Sequence, residues 1–430
     1  DGFSGGLEYA VFSGTVPEAF QVDEEVTFDG SASSMRFDVP DAGDQRGAFA
    51  GGAFFVSSGR DLTGFNALTF YARATQSVEL GTLGFGVDLG ANRHNTSITN
   101  VRVNTAWEKV IIPIPDPERL TQEKGLFYYA FGPIGADGSG YSVWIDEVRF
   151  ENLGTIGQPR YSIFNGEDQV SNTFEGVQTE VSGLLTRYNL PNGIDQLVNT
   201  AVAYFDFESS NESAATVDEN GNVTVGPSGT AVITASVGGV DASGSLTVTS
   251  QGPFQFAPEP TEDPADVISI FSDVYDNVPV DFYNGFYEPF QTTTSADFEV
   301  NGDNILNYEN YNFVGIEFNQ NVPTIDASEM TELTMDIFIP DPFPFGSNID
   351  IRLVDAGSDG SIGGGDDSTV SYTISTSLTS SPIMVQAQWL EVNIDITGLA
   401  NRDNLGQIIF ASDNPQRPSG FYVDNIYLRR

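Results

Sequence analysis

Two stretches of this chain place a carboxylate where a packed strand should have none. Residues 141–150 read YSVWIDEVRF, and residues 420–430 read GFYVDNIYLRR. Alternation with period 2 puts Trp144, Asp146, Val148 and Phe150 on one face of the first segment. The same parity groups Tyr422, Asp424, Ile426 and Leu428 in the second. An acid among large apolar side chains is costly unless hydrogen-bond donors or a cation meet it. Two chemistries remain open: a hard oxygen ligand for a cation such as Ca²⁺, or a carboxylate that caps a turn or pairs with Arg. A second acidic cluster, VDAGSDGSIGGGDDS over 354–368, spaces Asp355, Asp359, Asp366 and Asp367 among glycines that let the backbone wrap tightly. It lacks the spacing and closing Glu of an EF-hand. A solvated loop, a second cation site and a hydrogen-bonding edge for sugar hydroxyls all stay open for it.

Rings form the next set. DFYNGFYEPF over 281–290 gathers Phe282, Tyr283, Phe286, Tyr287 and Phe290 in a loop containing Gly and Pro, a poor place for five core rings. Flat rings stack on the C–H faces of sugars, so Tyr283, Phe286 and Tyr287 are expected to bind. Trp107, Trp144 and Trp389 sit in strand segments and are expected in cores. Parity through GLFYYAFGP points Tyr129 and Phe131 inward and leaves Tyr128 on the opposite side, at the place that Gln407 takes in the second half. Arg93 and His94, the one His, read either as a hydroxyl-binding pair or as an ordinary exposed loop. Catalysis is not expected. A glycosidase needs two facing carboxylates; 60 acids cannot exclude that, but no ExDxxE-like strand is present. One His, no Cys and no GxSxG leave little for acyl transfer or zinc hydrolysis.

The charge balance narrows the partners. Sixty acids against 17 bases give −43, which argues against nucleic acid and anionic membrane surfaces. An acidic polysaccharide is disfavoured by the same repulsion; a neutral glycan or a cation is not. The absence of Cys removes disulfide and thiol chemistry. No run approaches the ~18 apolar residues of a membrane-spanning helix. The abrupt start at DGFSGG leads us to expect a trimmed secretory or lipoprotein leader.

The elements that must position these residues are strands. Short alternating runs rich in Val, Ile, Thr, Phe and Tyr, such as 67–72, 109–114, 231–237 and 333–339, are separated by Gly, Asn, Asp and Ser clusters. Five blocks recur in one order. FNALTFYARA matches MTELTMDIFI, LGFGVDLGA matches NIDIRLVDAG, and NTAWEKVIIPI matches QAQWLEVNIDI. GLFYYAFGP then matches NLGQIIFAS, and YSVWIDEVRF matches FYVDNIYLRR. Two copies of one domain follow, over 1–157 and 252–430, each a jelly-roll (galactose-binding-like) sandwich. The middle segment, 158–251, holds ATVDENGNVT and GTAVITA, a pattern that resembles bacterial Ig-like domains. The fold class is all-β: two jelly-roll sandwiches flanking an Ig-like sandwich. QGPFQFAPEPTEDPAD reads as a stiff linker into the last domain.

The repeated domain resembles jelly-roll carbohydrate-binding modules. The second copy carries the resemblance in DVISIFSDVYDNVPVDFYNGFYEPFQ, ILNYENYNFVGIEF, VDAGSDGSIGGGDDS and FYVDNIYL. Similar modules accompany laminarinases and related secreted glycanases of marine Bacteroidetes. The order module, Ig-like domain, module is similar to that of multimodular surface glycan-binding proteins from polysaccharide utilisation loci. The family position often held by Trp is Tyr287 here. The resemblance implies a structural calcium, with Asp146, Asp424 and Asp273 as ligands. It also implies a monomeric outer-membrane lipoprotein facing outward, beside a glycan transporter complex. Its ligand would be a neutral β-glucan, laminarin first. The rival expectation is a structural or adhesive surface protein without glycan specificity.

Overall fold

The computed structural model describes residues 6–154, 156–191, 193–285, 287, 289–412 and 414–430. Strands make up its regular structure apart from short 3₁₀ turns, and two compact units divide at Gly252/Pro253.

In the first unit, one sheet runs in the order Leu7–Val11, Ala50–Arg60, Glu123–Phe131, Val78–Phe85, Thr96–Val103. The facing sheet runs Phe20–Asp23, Ser34–Val39, Tyr141–Glu151, Ala67–Ala74, Glu108–Pro113. Alternate residues of each turn inward and meet: Phe37 lies 4.1 Å from Tyr129 and 5.9 Å from Phe131, and Phe70 lies 5.6 Å from Phe127. Tyr129 and Phe131 are fully buried, on the side that parity predicts. The first sheet does not stop at Thr96–Val103. The hairpin Leu185–Asn189/Asp195–Thr200 adds to its edge through Asn199 opposite Ser97 and Thr200 opposite Thr96, and Arg160–Ser162 follows. Tyr161 and Tyr188 donate from buried hydroxyls to the carbonyls of Pro115 and Ile114. The rest of the middle segment is an Ig-like sandwich. Asp168–Thr173 runs parallel to Ser245–Ser250, next to Gly229–Val237 and Asp206–Ser209, and a three-stranded sheet holds the expected turn between Ala215–Val217 and Asn222–Val225.

The second unit repeats the strand order of the first sandwich, with one strand added. Asp297–Val300, Asp303–Tyr308, Phe421–Arg429, Glu332–Phe338, Trp389–Asp395 form one sheet, with Val267–Phe271 added along Phe421–Arg429. Phe282–Gly285, Phe313–Glu317, Leu405–Ala411, Asn348–Asp355, Ser368–Ser375 form the other. Tyr308, Phe410 and Phe421 close the core between them.

Straight parity fails at one place in each copy, and it is the same place. Glu147 and Asn425, directly after the two strand acids, take left-handed φ values of 53° and 51°. Each makes a β-bulge, and the pairing register shifts there. A one-residue insertion moves every later side chain to the other face. Tyr422 and Asp424 therefore point outward, while Ile426 and Leu428 lie in the core. In the first copy Trp144 and Asp146 point outward and Phe150 packs 5.8 Å from the buried Phe85. The three Trp correct a second expectation. Trp389 is opposite the outward-facing Phe338, and the guanidinium of the outward-facing Arg73 lies 5.9 Å from the Trp107 ring, so all three indoles lie on outer sheet faces, not between the sheets.

Candidate functional site

The outward face of the Phe282–Ser375 sheet in the second unit is assembled from five strands far apart in sequence. Register sets its rows. The first holds Phe282, Glu317, Gln407, Val354 and Thr369. The second holds Gly285, Gly315, Ile409, Arg352 and Ser371, and the third Phe313, Ala411, Asp350 and Thr373.

Tyr287 lies over the two glycines of the second row. A Cβ on Gly315 would sit 3.1 Å from the Tyr287 hydroxyl and 3.2 Å from its ring, and one on Gly285 would sit 3.4 Å from that ring. Hydrogen at Gly315 lets the ring settle onto the sheet without the small shift a Cβ there would require, and a Cβ at Gly285 would just touch the ring. Phe313 meets the ring edge-on at 5.1 Å. The Tyr287 hydroxyl accepts from Gln407 Nε2 at 2.8 Å, and the same amide donates to Glu317 Oε1. Burial pushes the Glu317 carboxyl above its ordinary range, against the lowering by Gln407, and the charge of Asp281 adds to the rise. Asp281 itself accepts from the backbone N–H groups of Asn319, Gln320 and Asn321, so it anchors a turn. Beyond Ile409, Arg352 is half-buried with no hydrogen-bond or ion-pair partner among the described residues. Thr369, Ser371 and Thr373 offer exposed hydroxyls along the edge. Ile362 of the acidic loop bounds one end of the face, against Gly406.

Of the sequence candidates, Tyr287 and Gln407 come together here. Phe286 lies outside the described residues. Tyr283 turns the other way: its ring packs on the core 5.3 Å from Phe271, and its hydroxyl donates to the Ile270 carbonyl. Phe282, 45% exposed, takes the outward place instead. Glu317, Arg352 and the two glycines went unread in the sequence, because only strand order brings them beside Tyr287.

The matching face of the first unit carries Tyr128. Its ring lies over Gly84, as Tyr287 lies over Gly315, and its hydroxyl donates to Asn95 Oδ1 at 2.9 Å. That bond ties Tyr128 to the loop of Arg93 and His94. Arg93 is exposed, whereas His94 is held by Glu123 at 3.1 Å and by the Tyr204 ring at 5.3 Å.

The two strand acids have different surroundings. Asp146 accepts from Phe28 N–H at 2.8 Å, Ser31 Oγ at 2.6 Å and Glu147 N–H at 2.7 Å. Its oxygens are filled by donors. Asp424 accepts from Asn425 N–H at 2.6 Å, and its neighbours are acids: burial, then Asp303, Asp273 and Asp336, push its carboxyl up to about 7. Asp303 and Asp336 are each raised to about 6, mainly by burial. The donors in reach are Asn425 Nδ2 to Asp336 and the N–H and amide of Asn304 to Asp273. Among the described residues no three acidic side chains converge closely enough to hold an ion as placed. In the acidic loop, Asp355 is fully buried and accepts from Gly357 and Asn404, and Asp366 accepts from Ser358.

No family model and no curated protein matches the chain. Solved structures similar to part of it include a family 30 carbohydrate-binding module of a Clostridium thermocellum cellulosomal cellulase (18% identity, 35% of this chain and 88% of that one, TM-score 0.24). A family 11 module from the same organism, in complex with a β-1,3-1,4-mixed-linked tetrasaccharide, covers 38% and 95% at 17% identity and TM-score 0.27. A family 28 module described as specific for non-crystalline cellulose covers 31% and 79% at 21% identity and TM-score 0.26. At such scores the likeness carries no weight in reading the site.

Proposed function

We propose that the protein binds a neutral polysaccharide, a β-glucan with laminarin as first choice, on the outward Phe282–Ser375 face of its second unit, and performs no chemistry on it. The observation that carries this reading is the Tyr287 ring seated on a glycine floor beside Gln407, Glu317 and the open Arg352. A flat ring offers the stacking surface that a sugar C–H face needs. The Arg352 guanidinium offers donors next to it and the exposed hydroxyls of Thr369 and Ser371 extend them, while the buried Gln407 amide, spent on Tyr287 and Glu317, fixes the ring. Tyr128 over Gly84 is the weaker counterpart in the first unit.

The spacing of one carboxyl pair on the face supports binding without hydrolysis. Glu317 and Asp350 are two strands and four register steps apart, a Cα separation of roughly 16 Å on strand geometry. Glycosidase carboxyl pairs lie about 5–9.5 Å apart. The neutral ligand agrees with a chain of charge −43. An outward-facing, surface-anchored lipoprotein that hands glycan to a transporter complex fits the same reading.

The reading includes calcium in the second unit. Asp424 and Asp273, with Asp303 and Asp336 beside them, would hold it only by drawing together around the ion, since no three of them converge as placed. Their hard oxygens lack cationic partners, and the ion would stabilise the bulged strand. Asp146, whose acceptors are filled, is the poorer ligand. Affinity electrophoresis against a panel of glycans tests the function. Retardation by laminarin, lost in Tyr287→Ala, is expected; retardation by no glycan would overturn the reading in favour of a structural or adhesive protein.

A further inference from the structure

The outer face of the other sheet of the first sandwich carries a row that the proposed function leaves unused. Pairing sets Gln21 opposite Arg36, Arg36 opposite Trp144, and Trp144 opposite Arg73. One step beyond Ala72 and Glu108 in the same ladder, Arg73 stands opposite Trp107. Cations and indoles thus alternate across four strands. The Arg36 guanidinium is 5.6 Å from the Trp144 ring, and that of Arg73 is 5.8 Å from Trp144 and 5.9 Å from Trp107.

The cations on this face are not equivalent. Arg36 pairs with Asp38 at 2.9 Å, and Lys109 pairs with Glu151 at 2.8 Å. Arg73 has no carboxylate partner among the described residues, and its Nε is buried without an acceptor. Ring faces attract the cation but do not accept its in-plane N–H groups. Arg352 in the second unit is also unpaired, but among the described residues Arg73 is the one Arg with a buried nitrogen left without an acceptor. Leaving a buried donor unmet is costly; an incoming carboxylate can reach only the terminal nitrogens of the half-buried side chain, and there it forms a bidentate fork that offsets the cost.

The second unit shows what closes such a row. There Tyr422, Phe338 and Trp389 stand opposite one another, and Phe254 covers them at 5.6, 5.7 and 6.0 Å. The Trp389 indole N–H donates to the Gln255 carbonyl. In the first unit Arg73 takes the place of Phe338, and Phe28 reaches only the edge, 5.9 Å from Trp107. A neutral ring laid here would bury the guanidinium without an anion, so the occupant must bring one.

We propose that the Arg36–Trp144–Arg73–Trp107 row is a second binding site, for a carboxylated sugar chain. A uronate joins an anion rigidly to a ring with a C–H face, so one residue meets both the Arg73 fork and the Trp107 indole. An Asp or Glu of a peptide supplies the anion without the face. The overall charge opposes approach of a polyanion. Asp23, which accepts from the Trp144 indole N–H at 2.8 Å, and Asp38 on Arg36 occupy that end of the row, so the anion is met at Arg73 and Trp107. At 0.15 M salt the Debye length is about 8 Å and more remote acids are screened.

The test uses the whole chain in 0.15 M salt with polygalacturonate, its fully methyl-esterified form and poly-L-glutamate, read by affinity electrophoresis and by fluorescence of the Trp. Retention and a fluorescence change with polygalacturonate alone are expected. Arg73→Gln should weaken that binding at least tenfold and leave laminarin binding unchanged, and Tyr287→Ala should do the reverse. Trp107→Phe gives a second variant should Arg73→Gln fold poorly: it should weaken polygalacturonate binding and remove most of the fluorescence change. Absence of polygalacturonate binding in the wild type would overturn the site. So would equal binding of the methyl ester, or full binding by both variants. Equal binding of poly-L-glutamate would make it a peptide site instead.

Discussion

At the scale of single residues, the proposed site rests on Tyr287, and its environment separates binding from stability. The ring lies on the sheet surface and outside the core. Tyr287→Ala should therefore leave the melting temperature nearly unchanged while glycan affinity falls about tenfold to a hundredfold. That is the roughly 1–3 kcal/mol of one stacked ring, by analogy with base–aromatic stacking. Gly315→Ala tests the seat beneath it. The new Cβ would meet the Tyr287 hydroxyl and Glu317 Oε1 at 3.1 Å, so these groups must shift by a few tenths of an ångström and affinity should drop with Tyr287 still present. Titration calorimetry of both variants checks this; normal binding by Gly315→Ala would remove the glycine floor from the account. Asp424 gives a pH signature. Its folded carboxyl titrates at about 7 against 3.8 for the free group, and Asp303 and Asp336 at about 6. The folded state thus takes up protons first as pH falls, and the cost of these charges, full above pH 7, is relieved through pH 7 to 5. Without calcium the second unit should melt at higher temperature at pH 5.5 than at pH 7.5. With calcium bound the carboxylates stay ionised, so the gain on acidification should shrink. Chelation should lower the melting temperature at pH 7.5. Melts of the second unit that ignore both calcium and pH would sink the ion site.

At the scale of elements, the bulge explains why one acid recurs in both copies. The carboxylate accepts the N–H of the residue that takes the left-handed φ, at 2.7 Å for Glu147 and 2.6 Å for Asn425. It therefore pins a kink that re-aims the rest of the strand into the core. In the first copy the same carboxylate also draws in the 28–31 loop. Asp146→Ala should destabilise the first unit by about 1–3 kcal/mol, the cost of donors left unmet, with or without calcium. Denaturant melts of wild type and variant, with and without chelator, measure it; a loss seen only with calcium present would make Asp146 a ligand after all.

At the scale of the molecule, the two units have their own cores, and the strand pairing predicts where the chain can be cut. Residues 253–430 should fold alone and keep laminarin binding, since the whole proposed platform lies within them. Residues 1–157 should behave worse than residues 1–252. Cutting at 157 removes the hairpin that pairs with Thr96 and Ser97 and uncovers an edge. Size-exclusion chromatography and melting of the three fragments decide this; a monomeric 1–157 as stable as 1–252 would contradict it.

Much of this was legible in the residues themselves. Alternating β-branched and aromatic runs specify strands locally, and two chains of similar blocks specify two similar sandwiches, so fold class and repeat needed no coordinates. Tyr287 and Gln407 could be singled out because ring-rich Gly/Pro loops and matched strand positions are local or pairwise signals. What the sequence could not show were the two bulges. Neither Glu147 nor Asn425 is a Gly, and a parity argument holds only while no residue is inserted, so every assignment beyond them reversed. It also could not tell Phe282 from Tyr283, since adjacent strand residues differ only in which face the tertiary fold buries. Glu317, Arg352 and Gly315 became neighbours of Tyr287 through pairings across 30 to 120 positions. Arg73 differs from Phe338 by one letter, and only a folded sheet, setting indoles on either side of it, turns that letter into an unmet charge.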